Sequence, residues 1–411
     1  MPLSFDTKLK NYADLIVQVG ANVQKGQRVL LQSPVEGAAL ARLVHEAAYE
    51  AGASYVDVLW GDDAVSLSNF KHADENALTE VPEWFKRARI DAAQRGDALI
   101  SLRASDPQLL KDIDPERVAA VQKAYREALK PYTDAVINSD VNWCLVTLPL
   151  KSWAAQVFPD AAPGEQVDKL WDAIFRAVRV DQADPVNAWH EHLAGLERRR
   201  EYLNNKQYSA LKYTAPGTDL TVGLPEGHLW LGGYQPTNSG VVYVANMPTE
   251  EVFTLPHKDR VDGTVQSSKP LAYGGQVIDG FGFTFKNGEV VDFHAEQGED
   301  TLRQLLDTDA GAKRLGEVAL VPHSSPISQA DTLFFNTLFD ENAASHLALG
   351  RAYRFTLEGG TEMGDDEARA AGANESLTHV DFMIGSAETD IDGVLPDGAA
   401  EPLMRGGEWA V

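Results

Sequence analysis

Two short runs concentrate reactive side chains in otherwise apolar or small-residue surroundings: Phe334–Tyr353, FFNTLFDENAASHLALGRAY, and Asn374–Gly385, NESLTHVDFMIG. Asp340, Glu341 and His346 crowd into the first, and His379 and Asp381 stand two apart in the second. On a strand, residues i and i+2 project to one face, so His379 and Asp381 present an imidazole and a carboxylate side by side. Val380 and Phe382 to Ile384 wall them with apolar groups. Charge in such a setting is costly unless a partner compensates it, and a divalent cation is such a partner. The two runs therefore read as halves of one metal site.

Further carboxylates lead into apolar, strand-like runs: Glu250 and Glu251 in NMPTEEVFT, and Glu317 in RLGEVALVP. Taken singly, such a glutamate is more often a cap or an ion-pair partner, and a lone His346 is more often a buried histidine bonded to a carbonyl. Together they make three or more carboxylates and two imidazoles without cysteine. That mixed oxygen and nitrogen set suits two hard or borderline cations such as Zn, Co, Mn or Mg rather than a structural zinc. Glu250 and Glu251 would point to opposite faces of a strand, so only one of them is expected to be a direct ligand.

Other chemistries find little support. Cys144, in NWCLVTLP, reads as a buried inert thiol. No GxSxG, HExxH or P-loop is present, which removes the common serine hydrolase, zincin and nucleotidase readings. His190 and His192 lie on a polar helical stretch and read as surface residues, whereas His257 and His294, nearer the motifs, are as consistent with a pocket wall as with the surface.

The elements that must position these groups follow from periodicity. Helical spacing covers Lys8–Val19 and Glu36–Ala51, with Gly20 and Gly52 as stops. Short apolar strands are predicted at Arg28–Gln32, Ser54–Trp60, Asp97–Arg103 and Val141–Pro149, alternating with helices near Pro82–Arg95 and Pro115–Leu129. This alternation implies a parallel-sheet α/β domain. Its first strand–helix turn, SPVEGAALA, lacks the Gly-rich dinucleotide fingerprint, so the sheet reads as scaffold. Two helical stretches, Glu165–Val178 and Pro185–Asn204, lead to a break near Asn205. Beyond it the texture becomes strands with tight turns, including a hairpin across Asn287-Gly288, a Gly-rich strand segment Tyr273–Phe285 and a helix at Glu299–Asp307. The expected division is thus 1–205, an N-terminal α/β scaffold, and 206–411, an α+β catalytic domain carrying a two-metal site.

The totals set limits. At 411 residues two domains are the default. A formal net charge of −25 argues against nucleic acid, whose phosphates need clustered Lys and Arg. One cysteine excludes a disulfide framework and suits a reducing cytoplasm. Neither a signal-peptide core nor an apolar run of membrane-spanning length occurs in the sequence, so a cytoplasmic protein with no membrane partner is expected.

PTEEVFT, LGEVALV, FFNTLFDENAASHLALGRAY and NESLTHVDFMIG, together with GTDLTV, RVDGTV and the terminal GEWA, resemble the corresponding segments of the thermophilic metallo-aminopeptidases, the family of aminopeptidases T and S. The likeness runs in order through most of the second half. It implies a homodimeric aminopeptidase that removes the N-terminal residue of peptides with a two-metal-activated water. Carried over, the metal ligands fall on Glu251, Glu317, His346, His379 and Asp381, with Glu341 as a sixth, and the essential tyrosine falls on Tyr353. Glu317 is the choice for a carboxylate bridging two cations, while proton transfer is left between Glu317 and Glu250. If the stretch from His346 to Tyr353 is helical, two turns set both on one face, from which the phenol can serve the oxyanion. The alternatives are a dipeptidase or amidase acting on other amine-bearing substrates, and a non-catalytic, metal-stabilised binding protein.

Overall fold

The computed structural model describes residues 3–104, 106, 109–274 and 276–411. It is a mixed α/β fold with one parallel and several antiparallel sheets. Two compact units divide the chain: one runs through Leu193 and takes back Tyr234–Pro248, and the other holds Ala194–Gly233 and Thr249–Val411.

In the first unit β1 (Arg28–Pro34), β2 (Tyr55–Gly61), β3 (Ala98–Arg103), β4 (Trp143–Thr147) and β5 (Asn246–Met247) form a parallel sheet in the order β2-β1-β3-β4-β5. Val29, Leu30 and Leu31 are consecutive and buried, as a central strand covered on both faces requires. Helix α1 (Phe5–Leu15) buries Leu9, Tyr12, Ala13 and Leu15 at helical spacing, and the Tyr12 hydroxyl donates to the Thr147 carbonyl at 3.2 Å. Its last turn widens, with the Ala21 N–H bonded to the Ile16 carbonyl, so the expected stop at Gly20 holds. Helix α2 (Ala38–Glu50) buries Leu40, Ala41, Val44, Ala47 and Ala48.

The sequence places one break at Asn205, near the end of α3 (Pro185–Lys206), whereas the units change over at Leu193/Ala194 inside that helix. The return of 234–248 to the first unit escaped sequence reading because its contribution, β5, is a two-residue strand paired to β4 at Leu145 and Val146.

The second unit is built on antiparallel pairing. Strands Glu289–His294, Gly282–Lys286, Val261–Gln266, Thr218–Gly223, Ala210–Ala215, Asp390–Val394, Ala400–Arg405 and Glu408–Trp409 lie side by side in that order. The Asn287-Gly288 hairpin forms as expected, with Lys286 opposite Glu289 and both turn residues at positive φ. Within the Gly-rich segment, Gly282–Lys286 is flanked by strands on both sides, and the Val265 backbone lies where a Cβ on Gly282 would sit, whereas, among the described residues, Gln276–Ile278 pairs only with Leu271–Tyr273. A second sheet orders β6 (Val252–Thr254), β7 (Leu315–Leu320), β8 (His346–Gly350) and β9 (His379–Met383) as β6-β7-β8-β9. His346 therefore begins a strand, and the conditional helix from His346 to Tyr353 does not form: β8 is buried along its whole length and bonded on both sides, which outweighs its helix-compatible Leu and Ala content.

Candidate metal centre

Register alone gathers the expected ligands. Glu317 lies opposite Ala348, and Ala348 lies opposite Asp381; Gly350 pairs with His379, and Ala319 pairs with His346. Directly opposed residues of antiparallel strands share a face, so Glu317, His346, His379 and Asp381 project together. Phe253 pairs with Ala319, and Glu251, two residues earlier, continues the same face. The positions between the charged groups are small: Ala319, Ala348 and Gly350. That leaves open volume above the middle of the sheet. Gly350 is also required by its φ of +102°, where a Cβ would collide with the Thr378 carbonyl.

Oxygen and nitrogen atoms of Glu251, Glu317 and His346 fall within 4.8 Å of one another, and so do those of Glu317, His379 and Asp381. Glu317 belongs to both groups. Its Oε1 is 3.5 Å from His346 Nε2 and its Oε2 is 3.7 Å from His379 Nε2. Each imidazole is oriented through its other nitrogen: His346 Nδ1 donates to the Ala344 carbonyl at 3.1 Å, and His379 Nδ1 to the Arg351 carbonyl at 2.7 Å. This tautomer turns the Nε2 lone pairs toward the carboxylates, as metal-ligating histidines are held.

The donor set fits a cation. Glu251 Oε2 and Asp381 Oδ1 are buried without a hydrogen-bond partner among the described residues, yet they face His346 Nε2 and His379 Nε2 at 3.3 Å. Buried carboxylate oxygens are expensive to leave unsatisfied, and an ion between them and the ring nitrogens supplies what is missing. Electrostatics agree. Burial, with the Glu317 and Asp381 charges beside it, pushes Glu251 up to about 8. Burial would lower His346, but the Glu317 hydrogen bond and the surrounding carboxylates outweigh it and raise it to about 10. His379 rises to about 9 against the same desolvation, chiefly through Asp381. Protons collect on these bases because negative charge is in excess there.

Glu341 and Tyr353 lie at the rim. Glu341 opens a short helical turn, Glu341–Ala343, and is held well above its ordinary value by burial and by the charges of Glu251 and Asp381. It does not join either tight group of donor atoms. The next residue, Asn342, accepts the Glu250 N–H at 2.7 Å and so ties this turn to the segment carrying Glu251. Tyr353 follows β8 by three residues. The Arg351 and Ala352 N–H groups bond to the Thr378 and Asn374 carbonyls, fixing that segment beside the start of β9. Its ring stacks on Phe355 at 5.2 Å and lies 4.6 Å from the His379 ring. Its hydroxyl makes no hydrogen bond among the described residues, and burial with the nearby carboxylates raises its pKa.

Other expectations fall elsewhere. Glu250 is buried, but its charge acts on Arg199 and it does not join the ligand groups. Asp340 turns away from the metal face: its oxygens accept the Phe334 and Asn336 N–H groups at 2.7 and 2.9 Å, holding Phe335 at a φ of +53°. Asp340 is also pushed up to about 6 by burial. His257 accepts the Asp259 N–H, His294 meets Gln266, His190 meets Tyr234, and His192 packs on Trp189 and Arg179. Cys144 is fully buried, which raises its thiol and keeps it inert. Sequence reading missed the cavity of about 190 Å³ beside His379 and Asp381, walled by Leu271, Tyr273, Phe335 and Met383. These residues come from three separate stretches of the chain, the strand Leu271–Tyr273, the segment around Phe335 and the end of β9, so no single spacing marks them.

Comparison with known proteins accords with this geometry. Residues 5–409 match the model of the thermophilic metalloprotease (M29) family. Aminopeptidase 2 of Geobacillus stearothermophilus is 52% identical over 406 residues, covering 99% of this chain and 98% of that protein. Aminopeptidase T of Thermus aquaticus is 46% identical over 408 residues, covering 99% and 100%. The solved structure of wild-type AmpT from Thermus thermophilus superposes with a TM-score of 0.91 at 45% identity, covering 99% of this chain and all of that one. With the family model matched over residues 5–409 and the relatives covered over their full length, the chain belongs to the thermophilic metalloprotease (M29) family.

Proposed function

We propose that this protein is a metal-dependent aminopeptidase that hydrolyses the N-terminal residue from peptides with two divalent cations, Zn, Co, Mn or Mg. The carrying observation is Glu317, whose two oxygens face two different histidines while each histidine faces a second carboxylate. Glu251 and His346 would hold one ion and His379 and Asp381 the other, with Glu317 shared by both groups; Glu341, the sixth expected ligand, lies outside both tight groups and is left at the rim for the substrate. With Glu341 counted, four carboxylates balance the charge of two divalent ions when both imidazoles are neutral. The chemistry supplied by cations bound there is polarisation of the scissile carbonyl and acidification of the attacking water.

The protein's own groups do the rest. Glu317 accepts the proton released by the attacking water and delivers it to the leaving amine. The Tyr353 hydroxyl, with no competing partner, donates to the oxygen that gains charge as the carbonyl becomes tetrahedral. Glu341, on the cavity wall, receives the substrate's ammonium group. Glu250, which joins neither group of donor atoms, is assigned neither role. The second unit is thus catalytic and the first a scaffold. The reading extends to a cytoplasmic homodimer, supported by the family resemblance and, for the cytoplasm, by a lone buried cysteine; no described helix is long and apolar enough to cross a membrane.

Release of free leucine from a leucine anilide, assayed before and after chelation, tests the reading. Activity should vanish with the chelator, return on adding a divalent cation, and be absent for the N-acetylated substrate. Cleavage of the acetylated compound would favour a general amidase; turnover indifferent to chelation would reject a metal mechanism.

A further inference from the structure

The cavity beside His379 and Asp381 adjoins a second one of about 250 Å³, and the two share Pro270, Leu333, Asp340 and Met383. The first is acidic at its inner end, where Glu341 and Asp381 contribute, and none of its described lining residues is a lysine or arginine. The second carries Lys269 together with Asp331, Asp340 and the hydroxyl residues Ser268 and Thr332. Met383 stands two residues beyond Asp381 on the same face of β9, an advance of roughly 7 Å. Its carbonyl accepts the Ser268 N–H at 2.8 Å, which anchors Lys269 beside that end of the strand. Lys269 pairs loosely with Asp331, 3.7 Å away and 97% exposed, and its charge also acts on Asp340, whose oxygens already accept the Phe334 and Asn336 N–H groups, so a ligand anion can compete for it.

Resting on the aminopeptidase reading, we infer that Lys269 is a specificity-determining residue that binds the free C-terminal carboxylate of short peptides. A short free peptide is a zwitterion, and the cavity pair is acidic at the reacting end and carries Lys269, the one lysine or arginine of its described lining, at the far end. An extended chain advances roughly 3.5 Å per residue, so the carboxylate of a tripeptide held by its ammonium at Glu341 reaches the region of Met383 and Lys269. In a protein with a net charge of −25, a carboxylate needs such a local cation to be welcome. Short peptides with an unblocked carboxyl terminus are therefore the preferred substrates.

The test compares kcat/KM for Leu-Gly-Gly and its C-terminal amide with the metal-loaded enzyme. Wild type should favour the free acid by roughly 10-fold or more, the scale of one charge-assisted hydrogen bond. Lys269→Met should bring the ratio to about one, and Lys269→Arg should retain it. A wild-type ratio near one overturns the inference even if no variant folds, and so does a Met variant that keeps the preference, the result expected if Lys269 serves only Asp331 and Asp340. Failure of wild type to cleave either peptide would instead overturn the aminopeptidase reading, and this inference with it.

Discussion

Tyr353 offers a clean separation of roles, because its ring is packed on Phe355 and His379 while its hydroxyl is uncommitted. Tyr353→Phe keeps the packing and removes one donor. If that donor serves the transition state, kcat should fall roughly 10²–10³-fold with KM and bound metal little changed. Near-wild-type turnover would reduce Tyr353 to a packing residue, and loss of metal would make it a support for His379. His379→Ala addresses the ligands: metal analysis should show affinity lowered by more than roughly 100-fold, with the far-UV spectrum retained. Wild-type occupancy with full turnover would sink the assignment. His379 and Asp381 were legible in the sequence because a two-residue spacing inside an apolar run has one meaning on a strand. The choice of Glu251 over Glu250 needed the register to be seen. Asp340 shares the run with Glu341 but was not among the expected ligands, and its bonds to the Phe334 and Asn336 N–H groups give it a structural role.

At the scale of elements, the face of β7, β8 and β9 works because its central positions are nearly bare. Gly350→Ala should lower stability by about 1–3 kcal/mol, measured by denaturant unfolding of the metal-free protein, since φ is +102° and the Thr378 carbonyl occupies the Cβ position. The start of β9 is held from outside the sheet by Asp309, which accepts the Leu377 and Ala312 N–H groups at 2.6 and 2.9 Å and the Ser376 hydroxyl at 2.8 Å. Burial acts against the charge, but these bonds hold Asp309 below its ordinary 3.8. A carboxylate depressed on folding adds stability that is complete above its unfolded pKa and is lost as pH falls through the folded one. The Tm difference between wild type and Asp309→Asn should be constant above about pH 5 and shrink as acid protonates the folded group. A difference that stays level into strong acid would exclude the carboxylate as its source. The helices and strands expected in the first unit lie within a few residues of the observed ones, because their apolar patterns are strong, whereas the helices Asp63–His72, Glu75–Thr79, Lys130–Ile137 and Lys151–Val157 were not read. The strand at His346–Gly350 was not, since LALG is equally content in a helix and only its neighbours decide.

For the whole molecule, light scattering should give twice the chain mass of 44.8 kDa, independent of concentration in the working range; a stable 44.8 kDa species would contradict the homodimer. The expected α/β half followed by an α+β half rests on a change of texture near Asn205, and the two compact units of the fold are interleaved. A two-residue strand carries no periodicity, so nothing in the sequence marked 234–248 as belonging to the earlier unit. That interleaving has a consequence for how the protein is made. Ribosomes deliver roughly 5–20 residues per second, and N-terminal domains ordinarily close as they emerge. Here the parallel sheet waits for Asn246 and Met247 to complete its edge at β4, and by then Ala194–Gly233 of the later unit has already been synthesised. The nascent chain must therefore hold an open-edged sheet through some forty residues of foreign sequence. No single cut, by a protease or in a gene fusion, yields either unit whole.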